Sequence, residues 1–125
     1  MQKIWRLSAI EQAKLIADRE LSSTEVVDAH LARIAEMNPR LNAVVRVLET
    51  DARLAAARAD RMVTSEGPLG ALHGVPFTVK ENIDMAGLPT TWGVPAFAES
   101  LAPDDAPVVE RMRAAGAIPI GRTTA

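Results

Sequence analysis

Between Gly67 and Gly93 the chain carries five glycines and three prolines, and one short β-branched run, residues 75–80 (VPFTVK), stands among them. Glycine and proline at this density break the backbone into turns, so no long helix can cross the middle of the chain. A single strand is what the run allows. Pro76 has no N–H to give a neighbour and fits only near the start of that strand or at a sheet edge. Residues 81–91 show no periodicity and are expected as loop. An irregular segment beside a buried strand is a common place for binding and catalytic groups.

The flanks are regular. Ser8 with Glu11 and Ser22 with Glu25 each spell a capping box, in which a hydroxyl and a carboxylate satisfy orphan amides at a helix start. Ala9, Ala13, Ile16 and Ala17 supply the apolar stripe of a first helix, and Val27, Leu31 and Ile34 that of a second. Met37-Asn38-Pro39 is expected to end the second helix, because the residue before proline is pushed out of the α region. Residues 41–48 alternate as a strand, and residues 51–62, rich in Ala and Arg, predict a helix capped by Thr50 or Asp51. Asp104 or Asp105 is expected to cap a last helix with Pro107 in its first turn, Val108, Val109, Met112 and Ala115 facing inward, and Gly116 ending it. Residues 117–120 then read as a short strand weakened by Pro119, with its edge at Ile118–Ile120 exposed. This order of strands and helices predicts an α/β or mixed layered architecture.

Composition removes several function classes. Fourteen Lys and Arg against sixteen Asp and Glu give a net charge of −2, which offers nothing to a nucleic-acid backbone. Cysteine is absent, which excludes disulfides, thiolate metal sites and a cysteine nucleophile. The longest unbroken apolar run is four residues, 54–57, too short to span a bilayer. The N-terminus lacks the pattern of a secretory signal, and a cytoplasmic location is expected. With four Trp and Phe and no Tyr, the core must be aliphatic.

Lys80 is the sharpest candidate for chemistry. It is one of three lysines among fourteen Lys and Arg, and it ends the apolar run just before Glu81-Asn82. A lysine that loses solvation at the end of a buried strand can serve as a neutral amine base, which arginine cannot. Against this stands a lysine that snorkels to water or pairs with Glu81. His73 has no second histidine or carboxylate at ligand spacing, and His30 reads as packing within a helix. Ser22 is explained by its capping box and Ser23 as first-turn sequence. The glycines form no phosphate-binding loop, and Asp84, Asp104 and Asp105 read as turn and cap residues.

Residues 68–84 (PLGALHGVPFTVKENID), 86–93 (AGLPTTWG), 104–109 (DDAPVV), 113–117 (RAAGA) and 121–123 (GRT) closely resemble, in this order, the opening of the amidase signature region. Residues 21–27 (LSSTEVV) resemble the same family, so the likeness covers nearly the whole chain. It implies an α/β fold with a mixed sheet flanked by helices, larger than this chain and incomplete in it. Residues 1–125 would form the N-terminal part of one larger domain, with 1–65 a helical lead-in with one strand and 66–125 the start of the signature region. It further implies amide C–N hydrolysis by a serine nucleophile, a second serine held in a cis peptide, and a lysine, for which Lys80 is the match. Both serines would lie beyond Arg122-Thr123, and Ser22, Ser23, Ser65 and Ser100 lack their glycine surroundings. Glu81 departs from the pattern, since many relatives carry Asp there.

The resemblance implies a small-molecule amide as substrate, and neither cofactor, metal, nucleic acid nor membrane. It fits equally a tRNA-dependent amidotransferase's glutaminase component, acting with partner subunits, or a homodimeric amidase. A truncated, non-catalytic interaction protein is the alternative from another class. The 125 residues alone are expected to be inactive and marginally stable.

Overall fold

A computed structural model of the chain describes residues 3–125. Both capping boxes form: Ser8 opens helix α1 (Ala9–Ala17) and Ser22 opens helix α2 (Ser23–Leu41), each with its hydroxyl and its glutamate bonded reciprocally. Trp5, in a short 3-10 turn before α1, is covered by the Arg33 guanidinium at 4.0 Å from its ring centre, which ties the N-terminal turn to α2.

Helix α2 runs through Pro39 instead of ending before it. Proline removes one amide from the last turn, and the helix needs only two residues more. The stop is Asn42, in the left-handed conformation at φ 49°. Asn38 then turns the chain outward, its side chain both accepting from the Val44 amide at 2.9 Å and donating to the Val44 carbonyl at 2.7 Å. Strand β1 (Val44–Val47) follows and passes directly into helix α3 (Glu49–Ser65), so Thr50 and Asp51 cap nothing. The start of α3 is set by pairing: the Leu48 amide donates to the Ile120 carbonyl at 2.9 Å.

The expected central run becomes strand β2 (Pro76–Lys80), with Pro76 at its first position. Helix α4 (Pro107–Ala114) starts with Ala106 at its cap, not an aspartate. Asp105 is used elsewhere, accepting from the Ala86 amide at 2.8 Å and pairing with Arg113 at 3.1 Å. A helix this short buries one edge, so Val109 is buried while Val108 is exposed. Strand β3 (Ile118–Thr123) is longer than the sequence pattern implies.

The sheet order is β1-β3-β2, with β1 antiparallel and β2 parallel to β3. The fold is therefore α/β with a small mixed sheet flanked by helices. The residues expected to form an exposed edge, Ile118–Ile120, lie in the central strand, and the outer strands among the described residues are β1 and β2. Pro119 is accommodated by a register shift, Phe77 lying opposite Pro119 and Thr78 opposite Gly121. A proline without an N–H thus sits beside an irregularity in the ladder.

Apolar clusters join the helices and loops to the sheet. Val27 and Leu31 of α2 meet Ala52, Ala56 and Ala59 of α3 over Ile118 and Ile120. Each buried Val, Leu or Ile contributes about 1.5–3 kcal/mol, and the alanines of α3 let the two helices close over the strand. In a second cluster Val79 packs with Met85 and Val109, joined by Phe77, Ile83 and Leu88. A third cluster, Ile16, Val26 and Val75, holds α1 and the start of α2 to the entrance of β2. No described helix is long and apolar enough to cross a membrane.

The segment entering β2 is fixed to the turn between α4 and β3. Leu72 donates to the Ala115 carbonyl at 3.0 Å and Gly74 to the Gly116 carbonyl at 2.8 Å. Gly116 is at φ +94°, and a Cβ there would stand 2.6 Å from the His73 Cα. Gly116→Ala should lower stability by more than about 1–2 kcal/mol, the left-handed penalty alone. Denaturant unfolding reads this as a lower midpoint at constant slope; an unchanged midpoint would refute the packing described.

Burial holds the half-buried His30 ring below the ordinary imidazole value. The unfolded ring therefore binds a proton at higher pH than the folded one. Its contribution is whole above about pH 6.5 and falls as the pH drops from there toward the folded value. The stability of the wild type relative to His30→Gln should decline as the pH is lowered from about 7.5 to about 5; a constant difference would contradict this.

Candidate active site

Lys80 is the last residue of β2 and lies opposite Thr123 of the parallel strand β3. Both strands point their carboxyl ends to one place, the end of an α/β sheet at which ligands commonly bind. Strand alternation decides what each side chain meets. Val79 faces the cluster with Met85 and Val109 and is buried, whereas Thr78 and Lys80 face away and are exposed.

The desolvation expected of a strand-end lysine is therefore absent among the described residues. Lys80 is exposed, with no ion-pair partner there within 4 Å. Glu81 is not its partner; the Glu81 carboxylate accepts a hydrogen bond from the Thr91 hydroxyl. A concavity of about 540 Å³ between α2, β1 and the start of α3 and one of about 210 Å³ beside Met85 both lie away from Lys80.

The backbone at Lys80 is held firmly. Glu81 donates to the Thr123 carbonyl at 2.9 Å, extending the ladder, and Ile83 donates back to the Lys80 carbonyl at 3.0 Å. The following loop is anchored by Ile83, Met85 and Leu88 in the apolar cluster. It is closed by the Thr90 hydroxyl on the Asp84 carboxylate and by the Trp92 amide, 3.5 Å from the Glu81 carbonyl. Arg122, only 2% exposed, reaches into this loop from β3.

The other candidates resolve into structure. His73 is buried, with Nδ1 accepting from the Leu69 amide at 2.9 Å and Nε2 placed 2.8 Å from the Ala59 carbonyl. An amide at Nδ1 and a carbonyl at Nε2 assign the proton to Nε2, and both ring nitrogens are thereby committed. His30 lies 3.3 Å from the Gln12 side-chain oxygen. Ser23, fully buried, donates to the Gly74 carbonyl at 2.8 Å. Its amide and that of Thr24 donate to the Asp60 carboxylate at 2.6 and 3.1 Å, so α3 supplies an anion to the N-terminus of α2. Nothing local in the sequence marks Asp60, which lies 37 residues from Ser23. Arg122 lies just past the apolar residues 117–120, and reading the strand only to Ile120 leaves it outside the strand.

The exposed lysine thus stands on a layered α/β scaffold whose central strand and loop clamp hold its backbone. Comparison with known proteins identifies the class: the Amidase family profile matches residues 25–125, and the chain belongs to the amidase family. It is 49% identical over 120 residues to the indoleacetamide hydrolase of Bradyrhizobium diazoefficiens, covering 96% of this chain and 23% of that protein. The acylamidase of Rhodococcus erythropolis is 38% identical over 122 residues, covering 98% and 26%. A component of the glutamyl-tRNA(Gln) amidotransferase of Salinispora arenicola is 42% identical over 124 residues, covering 98% and 25%. The structure of the peptide amidase from Stenotrophomonas maltophilia superposes with a TM-score of 0.86 at 36% identity, covering 94% and 24%. The chain spans about a quarter of the length of these relatives.

Proposed function

We propose that the complete protein is an amide hydrolase acting through a Ser-cisSer-Lys triad to which these residues contribute Lys80. The observation that carries this reading is the family match across residues 25–125 with Lys80 exposed at the carboxyl end of a parallel strand. In the reaction the neutral amine takes a proton through the bridging serine hydroxyl, freeing the nucleophilic serine to attack the amide carbonyl. The C–N bond breaks as the proton passes to the leaving nitrogen, and water then hydrolyses the acyl-enzyme. A small-molecule amide is the substrate class, and a cytoplasmic location accords with the sequence.

The likeness to an amidotransferase component supports a second reading, glutamine hydrolysis in the service of tRNA-dependent amidation. Release of ammonia from a small primary amide by the complete protein alone favours the hydrolase. Glutamine hydrolysis only with partner subunits favours the second reading, and stable partner binding without amide hydrolysis favours an interaction protein.

Lys80→Ala in the complete protein should lower kcat/KM for the amide by about 10²–10⁴-fold or more. With its side chain exposed, the change should leave stability within about 0.5 kcal/mol. Near-normal turnover would reject the catalytic role of Lys80.

A further inference from the structure

Arg122 occupies an unusual position for a charge, nearly sealed inside the central strand. Its guanidinium donates to three carbonyls: Ile83 at 2.8 Å, Pro89 at 3.2 Å and Lys80 itself at 3.4 Å. It makes no ion pair within 4 Å among the described residues, and its Nε is buried without a partner. Burial pushes the guanidinium below the ordinary arginine range; the Glu81 and Asp84 carboxylates oppose that shift and Arg46 adds to it. A buried cation with an orphaned donor is costly. The loop does not need it for burial, because Ile83, Met85 and Leu88 already dock in the apolar cluster. What the arginine adds is direction, three bonds in the fixed fork of a planar group.

Those bonds bracket Lys80. One holds its carbonyl, another closes the turn at Ile83, and the third ties the returning strand of the loop at Pro89. Val79 lies opposite Arg122 in the parallel ladder and Lys80 opposite Thr123, so the clamp comes from the strand that already sets the register of Lys80. We propose that Arg122 is a positioning residue for Lys80, its guanidinium fixing the backbone from which the lysine side chain leaves β2. The inference rests on the catalytic reading of Lys80. Misplacing a reacting group by about 1 Å can cost about 100-fold in rate, and Arg122 acts on that placement and not on substrate.

The test uses the complete protein with Arg122→Lys, Arg122→Gln and Lys80→Ala singly, and with Lys80→Ala combined with each Arg122 change. Lysine keeps the charge without the fork, and glutamine keeps a planar donor without the charge, so one remains informative if the other does not fold. Each is assayed on a primary amide well below its own melting midpoint. Arg122→Lys and Arg122→Gln should lower kcat by about 10–100-fold with KM changed less than about twofold, the pattern of a group that affects the transition state alone. On the Lys80→Ala background the same changes should lower the residual turnover no further, because a residue acting through Lys80 has nothing left to position. Wild-type kcat in the folded Arg122 variants, with Lys80→Ala inactive, overturns this inference and leaves the catalytic reading standing. An equal loss on both backgrounds overturns it too, by making Arg122 purely structural. Full activity of Lys80→Ala overturns the catalytic reading, and the inference with it.

Discussion

The parallel pairing of β2 with β3 is the constraint on which the other features depend. Antiparallel strands can be joined by a tight turn, but a parallel pair needs a crossover, and here residues 81–117 with α4 supply it. That crossover carries the loop after Lys80 across the sheet and returns the chain so that Arg122 can reach the loop from below. Ile118 and Ile120 of the same strand form the floor on which α2 and α3 close. One strand therefore serves the helical layer, the register of Lys80 and the clamp on its carbonyl. Without β3 the outer strands have no neighbour among the described residues, since β1 and β2 do not pair with each other.

The entrance to β2 is fixed by polar contacts set within an aliphatic core. Ser23 holds the Gly74 carbonyl, His73 joins the Leu69 amide to the Ala59 carbonyl, and Asp60 gathers the first amides of α2. Each such bond nets only about 1 kcal/mol, but breaking one leaves a buried group unsatisfied at about 1–3 kcal/mol. With few aromatics to fill the interior, these contacts specify how α2, α3 and the strand entrance meet, a role that alanine and valine packing leaves less determined. Rigidity ahead of β2 and the arginine clamp behind it confine the same five-residue strand from both ends.

What is legible in the sequence follows the range of each interaction. Both capping boxes, the Gly116 stop and the short strand at 75–80 depend on neighbours within a few residues, and all four are present. The end of α2 differs from expectation because proline propensity, weighed alone, ignores the αL asparagine three residues later. The start of α3 and the cap of α4 differ for another reason: the pairing of Leu48 with Ile120 and the recruitment of Asp105 to Ala86 and Arg113 are tertiary choices. The central position of β3 is invisible for the same cause, since an apolar run with a proline looks like an edge until its partners are known. Lys80 stands out by residue type and resemblance, whereas Arg122 needs the loop folded over it to show its use.

The exposure of Lys80 and its proposed chemistry are linked through strand geometry. The alternation that buries Val79 obliges Lys80 to point to the other face, so burying the lysine takes either further groups packed over it there or a register slip that expels Val79 from the core. The slip is opposed by the Thr123 and Arg122 contacts and by the cluster around Val79. Lys80 is exposed among these residues, and groups packed over its side chain would exclude water there without disturbing the strand. Backbone placement and side-chain desolvation are thus separable tasks. The described residues perform the first through β3 and Arg122, and the proposed mechanism assigns the second to the groups that would bring the two serines to the amine.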